Sequence, residues 1–313
     1  MNSEVVAVLG GGAWGTVLAE LIRRNGHPVH VWSRRYGTAL EPVVQPATMV
    51  VIAVSVAGVL PLVHQLPRLR PGAIIVSTTK GLLPDGYRTP TQVWQRAFPE
   101  HGVVALSGPN LAAEIVQGLP AATVAASVQT WAAQRVQRVL ASERFRVYTN
   151  QDPLGTELGG ALKNVMAIAA GVCDGLHLGA NAKAGLVTRA LAEMVRVAVA
   201  WGAQVTTLYG LSGLGDLLAT CNSPLSRNYR LGYGLAQGKS LATMMQELPS
   251  TVEGVHTTQV LVHWADQRGI SVPIAQQVYQ LLQGQVTPRQ AVGALMERDL
   301  KAEFSTDLPC DPL

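Results

Sequence analysis

VLGGGAWGTVLAELIRRNGHPVHVWSRR, residues 8–35, sets three glycines directly behind an apolar run and closes on two arginines. Gly10, Gly12 and Gly15 fit the spacing G-x-G-x-x-G, which carries meaning when a strand precedes it and a helix follows. Both are expected here. Residues 5–9 read as a buried strand, and a helix is expected from about residue 14 to residue 25. It ends at Gly26, suited to the left-handed position after a helix, and Pro28 prevents its continuation. Residues 29–32 supply the next strand, so a βαβ unit is complete by Arg34. In that unit the first glycine permits a tight turn, the second lets a pyrophosphate approach the backbone and the third allows close helix packing. The helix N-terminus adds N–H groups and a positive dipole, so the expected ligand is a dinucleotide. At the end of the second strand an acid would bond the ribose 2′-hydroxyl of NAD. Here Ser33, Arg34 and Arg35 instead offer a hydroxyl and two guanidiniums, the complement of a 2′-phosphate. NADPH is the cofactor expected, with NADH as the alternative.

Outward from this unit, residues 49–54, 73–77, 103–106 and 123–126 also read as strands, several of them almost wholly apolar. Alternating with helical segments, they predict an α/β fold with a parallel sheet of the Rossmann type. Residues 42–67 contain no Asp, Glu, Lys or Arg. Pro46, Gly58 and Pro61 interrupt them, however, and the strongly apolar part has strand length, so a buried strand is expected in place of a membrane span. After about residue 152 the pattern turns helical. In LVTRALAEMVRVAVAWGA, Val187, Leu191, Met194, Ala198 and Trp201 recur at spacings of four and three, with Arg189, Glu193 and Arg196 on other faces. The division expected is a dinucleotide-binding domain over 1–152 and an all-helical domain over 153–313.

A chain of 313 residues with a net charge of +4 and no block of consecutive Lys or Arg suits small anionic ligands and gives no arm for nucleic acid. The three cysteines, Cys173, Cys221 and Cys310, are far apart and lack ligand spacing, which argues against a disulfide framework or a zinc site. MNSEVVAVLG has no basic region or cleavage site, so a cytoplasmic location is expected.

Ligands of open parallel sheets collect at the carboxyl ends of strands. STTKG (77–81) places Lys80 just past the fourth strand, and SGPN (107–110) offers Gly108 for close approach and Asn110 as a candidate helix N-cap. In LGGALKNVMAIAAG, Leu158, Leu162, Val165 and Ile168 share one face. Lys163 lies elsewhere, among Gly159, Gly160, Met166, Ala167 and Ala170, where a backbone or ligand can come close. A lysine withdrawn from water and near other cations loses affinity for its proton, which suits acid/base work. GLSGLGD ends in Asp216, an N-cap or a carboxylate beside the reacting centre. SPLSRNYRLG sets Ser226, Arg227 and Asn228 at a helix start, an arrangement that suits a phosphate dianion.

In order, GGGAWGT, TTKG, SGPNLAAEI, ALKNVMAIAAGVCDGL, NAKAGLVTRALAEM, GLSGLGDLLATC, SRNYRLG and VEGV resemble the NAD(P)-dependent glycerol-3-phosphate dehydrogenases of the bacterial type, over nearly the whole chain. The resemblance implies reversible hydride transfer between NADPH and C2 of dihydroxyacetone phosphate, giving sn-glycerol 3-phosphate for membrane lipid synthesis, without a metal. It implies Lys163 as proton donor or acceptor and Lys80 as a contact to substrate and cofactor. Further substrate contacts implied are Gly108, Asn110, Asp216, Ser226, Arg227 and Asn228. Those to the cofactor are Gly10, Gly12, Ala13, Trp14, Gly15, Arg34, Arg35, Ala112, Arg227, Thr251 and Glu253. A homodimer without membrane or nucleic-acid partners is expected. The chain departs from the family at Asn110, where Ser or Thr is usual, at Thr251, where an apolar residue is common, and over residues 35–48, a shortened connection on the adenine side. Two other readings stay open: a related two-domain hydroxyacid dehydrogenase, and an NADPH-binding sensor without turnover. Ser226, Arg227 and Asn228 oppose the first, and Lys163 on its small-sided surface opposes the second.

Overall fold

The computed structural model describes residues 3–84, 87–248, 251–300, 302 and 303. Strands β1 (Val6–Leu9), β2 (Val29–Trp32), β3 (Met49–Ile52), β4 (Ile74–Ser77), β5 (Gly102–Ser107), β6 (Ala121–Ala126) and β7 (Phe145–Asn150) form one sheet in the order β2-β1-β3-β4-β5-β6-β7. Helices α1 (Ala13–Arg24), α2 (Glu41–Val44), α3 (Val59–Gln65), α4 (Pro90–Ala97), α5 (Ala112–Val116) and α6 (Thr130–Leu140) connect successive strands. Every residue of β1, β3 and β4 is buried, because helices cover both faces of the sheet. Val6 and Val8 pack with Leu18 and Ile22 on one side, Ala7 and Leu9 with Val59 and Trp94 on the other. Gly26 closes α1 at φ +82°, as the sequence predicts.

The parallel Rossmann-type sheet is present, with two features that the sequence does not announce. β6 runs antiparallel to β5, pairing Ala105 with Ala126, while β7 returns to parallel pairing with β6. β7 itself lies outside the apolar runs because it is an edge strand: Phe145 and Val147 are buried, whereas Arg146 and Tyr148 face solvent. Its signal is alternation, not continuous hydrophobicity. No described helix is long and apolar enough to cross a membrane.

Beyond β7 the chain is helical: α7 (Pro153–Gly175), α8 (Gly179–Trp201), α9 (Val205–Leu208), α10 (Asp216–Cys221), α11 (Arg227–Ala236), α12 (Leu241–Glu247), α13 (Glu253–Asp266), α14 (Pro273–Leu282) and α15 (Pro288–Met296). Asp152 starts α7 by accepting the Gly155 N–H at 2.8 Å, and Pro153 fills the first helical position, where no N–H is needed. Nearly all of α7 is buried, including its polar residues Thr156, Glu157, Lys163 and Asn164. Its crossing with α11 is backbone against backbone: a Cβ on Gly171 would fall 2.0 Å from the Tyr229 carbonyl oxygen, and one on Gly232 1.9 Å from that of Ile168. Trp201 and Trp264 stack at 3.9 Å between α8 and α13. Glu193, outside the apolar stripe of α8, is nevertheless buried and accepts the Ile274 and Ala275 N–H groups that open α14. Cys173 and Cys221 are buried thiols, and Cys310 lies outside the described residues.

Candidate active site

At the carboxyl end of β1 each glycine of the loop meets a distinct demand. Gly10 has φ +131°, and a Cβ there would lie 2.2 Å from the Ala53 carbonyl oxygen; one on Gly15 would lie 1.9 Å from that of Gly10. Gly12 faces open space and caps α1, whose first turn holds no acid to consume its N–H groups. This cradle fits a pyrophosphate. Ala13 is exposed in the same turn, Trp14 is half-buried against the sheet layer, and Ala112 opens the neighbouring α5. Arg34 and Arg35 stand exposed on a single 3-10 turn after β2, where the Ser33 hydroxyl accepts the Arg35 N–H at 3.3 Å.

The second cluster joins the two halves of the chain. Thr78 and Thr79, at the end of β4, donate their hydroxyls to the carbonyls of Ile52 and Val54, each at 2.9 Å, and so fix the backbone that carries Lys80. The Lys80 amine donates to the Gly108 carbonyl at 2.9 Å and to Asp216 Oδ2 at 2.6 Å. From α7, Lys163 donates to Asp216 Oδ1 at 3.0 Å and to Thr220 Oγ1 at 2.7 Å. One carboxylate therefore sits between two amines. Small residues make the approach feasible: a Cβ on Gly160 would meet Ser107 Oγ at 2.4 Å and the Lys80 stem at about 3.5 Å, and one on Gly159 would meet the Ser212 carbonyl oxygen at 2.6 Å.

Lys163 is 7% exposed. Burial pulls its pKa down to about 8; Asp216 opposes that fall, and Lys80 adds to it. For Asp216 burial acts upward, but the two lysines outweigh it and hold the carboxyl below its ordinary range. The Cys221 thiol, pushed up to about 12 mainly by burial, stays protonated.

Sequence reasoning left two roles for Asp216. Gly215 is the cap of α10, so Asp216 is not the N-cap but its first residue, and its carboxylate is spent on the lysines. Asn110 is not an N-cap either, since Leu111 occupies that position of α5. The Asn110 amide instead donates to the Ala122 carbonyl at 3.1 Å and accepts from Thr123 Oγ1 at 2.9 Å, tying its loop to β6. Gly108, at φ +152°, turns the chain beneath Lys80. Thr220 went unnoticed in the sequence, although it lies one helical turn after Asp216.

Ser226 caps α11 by accepting the Tyr229 N–H, and Arg227 reaches the Thr251 carbonyl at 2.9 Å. The Asn228 amide is engaged at both ends, donating to Asn164 Oδ1 at 2.9 Å and accepting the Gly254 N–H at 3.0 Å. With its amide so engaged, the group Asn228 has left to offer is its main-chain N–H in the first helical turn, where no intrahelical acceptor exists. Asn164, next to Lys163, was not anticipated. Glu253 crosses to the other domain and accepts the Val56 N–H at 3.3 Å; burial raises its pKa against the opposing Val56 amide and Arg227. The structure thus brings Lys80, Gly108, Lys163 and Asp216 into one cluster. It sets Ser226, Arg227, Asn228, Thr251 and Glu253 in a second network, with the glycine loop and Arg34 at the carboxyl ends of β1 and β2.

Two family models cover this geometry. One, described as the NAD-dependent glycerol-3-phosphate dehydrogenase C-terminus, matches residues 152–293. The corresponding N-terminus matches residues 5–41 and 36–133, two stretches that meet in the short connection between β2 and β3. Glycerol-3-phosphate dehydrogenase [NAD(P)+] from Nostoc sp. is 58% identical over 307 residues, covering 97% of this chain and 100% of that protein. Its namesake from Synechocystis sp. is 56% identical over 301 residues, covering 96% and 95%. Among solved structures, the glycerol-3-phosphate dehydrogenase of Coxiella burnetii superimposes with a TM-score of 0.88 at 32% identity, over 95% of this chain and 99% of that one. The chain belongs to the NAD-dependent glycerol-3-phosphate dehydrogenase family.

Proposed function

We propose that the chain reduces dihydroxyacetone phosphate to sn-glycerol 3-phosphate with NADPH, reversibly, with NADH as a second cofactor, and that the product serves glycerophospholipid synthesis. The observation that carries this reading is Lys163: a buried amine with a pKa near 8, hydrogen-bonded to a carboxylate that it shares with Lys80. When bound, the nicotinamide supplies the hydride. Lys163 gives a proton to the oxygen on C2 as negative charge develops there, and Asp216 and Thr220 aim its amine. Lys80 adds positive potential at the same oxygen. Arg227 and the N–H groups opening α11 hold the phosphate, which orients C2 between the two domains. Gly10, Gly12 and Gly15 receive the pyrophosphate, and Arg34 and Arg35 the 2′-phosphate.

The hydroxyacid reading is weaker, because a substrate carboxylate would leave the Arg227 and α11 site without its dianion. As a cytoplasmic homodimer, which light scattering and cell fractionation test, the protein would meet both substrates in solution. The decisive assay is loss of NADPH absorbance when dihydroxyacetone phosphate is added. Lys163→Ala should keep NADPH binding and lose about a hundredfold to ten-thousandfold in turnover. Parental turnover in that variant would remove Lys163 from the mechanism.

A further inference from the structure

Six residues before Lys163 on α7, about 9 Å along the axis, the mechanism leaves a buried acid without a task. Glu157 is 4% exposed. Its Oε1 accepts the Thr91 N–H at 2.9 Å, and its Oε2 accepts the Thr91 hydroxyl. Thr91 is the second residue of α4, on the sheet domain, so this contact crosses from the catalytic helix to the domain that carries the glycine loop. Part of its task is to open α4, since the Thr91 N–H is a buried first-turn donor, whereas Pro90 has no N–H and the Gln92 carboxamide accepts the Thr89 N–H at 3.0 Å. A neutral acceptor would meet that need without the desolvation cost of a buried carboxylate. What the acid adds is direction, since two hydrogen bonds to one residue set both the rotation and the height of α7 against α4.

The position of α4 matters to the reaction through its connection to Lys80. The chain leaves β4 at Lys80, closes a bridge in which the Leu83 N–H donates to the Arg88 carbonyl at 2.9 Å, and enters α4 at Pro90. Upstream of Lys80 the Thr78 and Thr79 hydroxyls anchor the strand end. Downstream, Leu82 packs into the apolar core that contains α7, and Glu157 on Thr91 adds a polar anchor to the same helix. The helix that presents Lys163 is therefore fastened to the segment that presents Lys80 by a second polar tie, independent of Asp216. We infer that Glu157 is a positioning residue: by gripping Thr91 it fixes α7 against the sheet domain and so sets the Lys163 amine relative to Lys80 and to the nicotinamide face.

This inference rests on Lys163 as the proton-transferring group, which the Lys163→Ala variant tests separately. Full-length Glu157→Leu, Glu157→Gln and Thr91→Val should be compared with the parent for kcat, for KM of dihydroxyacetone phosphate, and for Kd of NADPH from its fluorescence on binding. Glu157→Leu should lower kcat at least tenfold while NADPH Kd stays within about twofold, because the glycine loop and the arginines lie on one domain. Glu157→Gln should keep most of the parental kcat, since its carbonyl can accept the Thr91 N–H and its amide can donate to Thr91 Oγ1. Thr91→Val, which keeps the N–H and removes the hydroxyl, should fall between them. If Glu157→Leu does not fold, Thr91→Val carries the test. Parental kcat and KM in Glu157→Leu, or in Thr91→Val where that variant decides, overturn the inference. So does a loss of kcat matched by an equal loss of NADPH binding, which would mean general damage to the fold.

Discussion

Replacing Asp216 by Asn removes the one negative charge between Lys163 and Lys80 while keeping a side chain of nearly the same shape. In the parent, burial and Lys80 depress the Lys163 pKa and Asp216 supports it, with the balance near 8. An opposite charge at this range is worth about one to three pKa units. The variant should therefore bring Lys163 to between about 5 and 7. The sign is definite: losing an anion favours the neutral amine, so the protonated fraction falls at any given pH. At pH 7.5 that fraction is about three-quarters for a pKa of 8, about one-quarter for 7, and well under 1% for 5. Dihydroxyacetone phosphate reduction needs the protonated form. Its kcat/KM, which reports the free enzyme, should lose between about threefold and two-hundredfold at pH 7.5, and acidification should restore part of the loss. The measurement is a pH profile of kcat/KM for parent and variant from pH 5.5 to 9.5. The limb that falls on the alkaline side should move down by one to three units. An alkaline limb at the same pH in both proteins would refute the assignment of the proton to Lys163 under the control of Asp216.

Arg227→Ala should erase most of the preference for dihydroxyacetone phosphate over dihydroxyacetone, seen as a ratio of kcat/KM values; an undiminished ratio would put the phosphate site elsewhere. The double change Arg34→Ala with Arg35→Ala should weaken NADPH about tenfold to a hundredfold by Kd and leave NADH almost unchanged, because charge-assisted bonds to the 2′-phosphate are worth about 1.5–3 kcal/mol. Equal effects on both cofactors would contradict that role. Glu157, whose pKa burial raises to about 7 against the pull of Thr89 and Thr91, binds its proton more tightly in the folded than in the unfolded chain. Its contribution to stability is thus full at acid pH and is lost as pH rises through 7. Relative to the parent, Glu157→Gln should gain about 2–3 kcal/mol between pH 5 and pH 8 in urea titrations, and parallel pH dependences would show that the carboxyl does not titrate there.

Much of this architecture is legible in the sequence because it rests on local constraints. The glycine loop, the helix stop at Gly26 and the buried strands each depend on residues within a few positions of one another. Lys163 stands out for a related reason, since Gly159 and Gly160 beside it announce a close neighbour. What stays hidden depends on partners distant in the chain. Reversal of β6 depends on the end of the sheet from which residues 108–120 bring the chain back to the free edge of β5, which no spacing within them encodes. Asn110 looks like a cap, yet its amide finds Ala122 and Thr123 closer than the end of α5. Asn228 looks like a ligand side chain until Asn164 and Gly254 are seen to use both ends of its amide. Glu193 and Glu157 read as ordinary polar positions on helices, and only the arrival of α14 and α4 turns them into buried acceptors.

The glycines of α7 bear on the order in which the chain folds. Five of the 23 residues of this helix are glycine, and each weakens an isolated helix by about 1 kcal/mol relative to alanine. A segment so composed has little helical tendency of its own and becomes helical chiefly through what surrounds it. In a nascent chain the sheet and its glycine loop, whose strands all lie within residues 6–150, can therefore consolidate while residues 153–175 are still unformed. The lysine of α7 takes up its place only as α11 closes over Gly171 and the turn before α10 closes over Gly159. Cofactor affinity should consequently appear early in the life of each molecule and turnover late, with an interval in which the dinucleotide is held but no proton can be delivered.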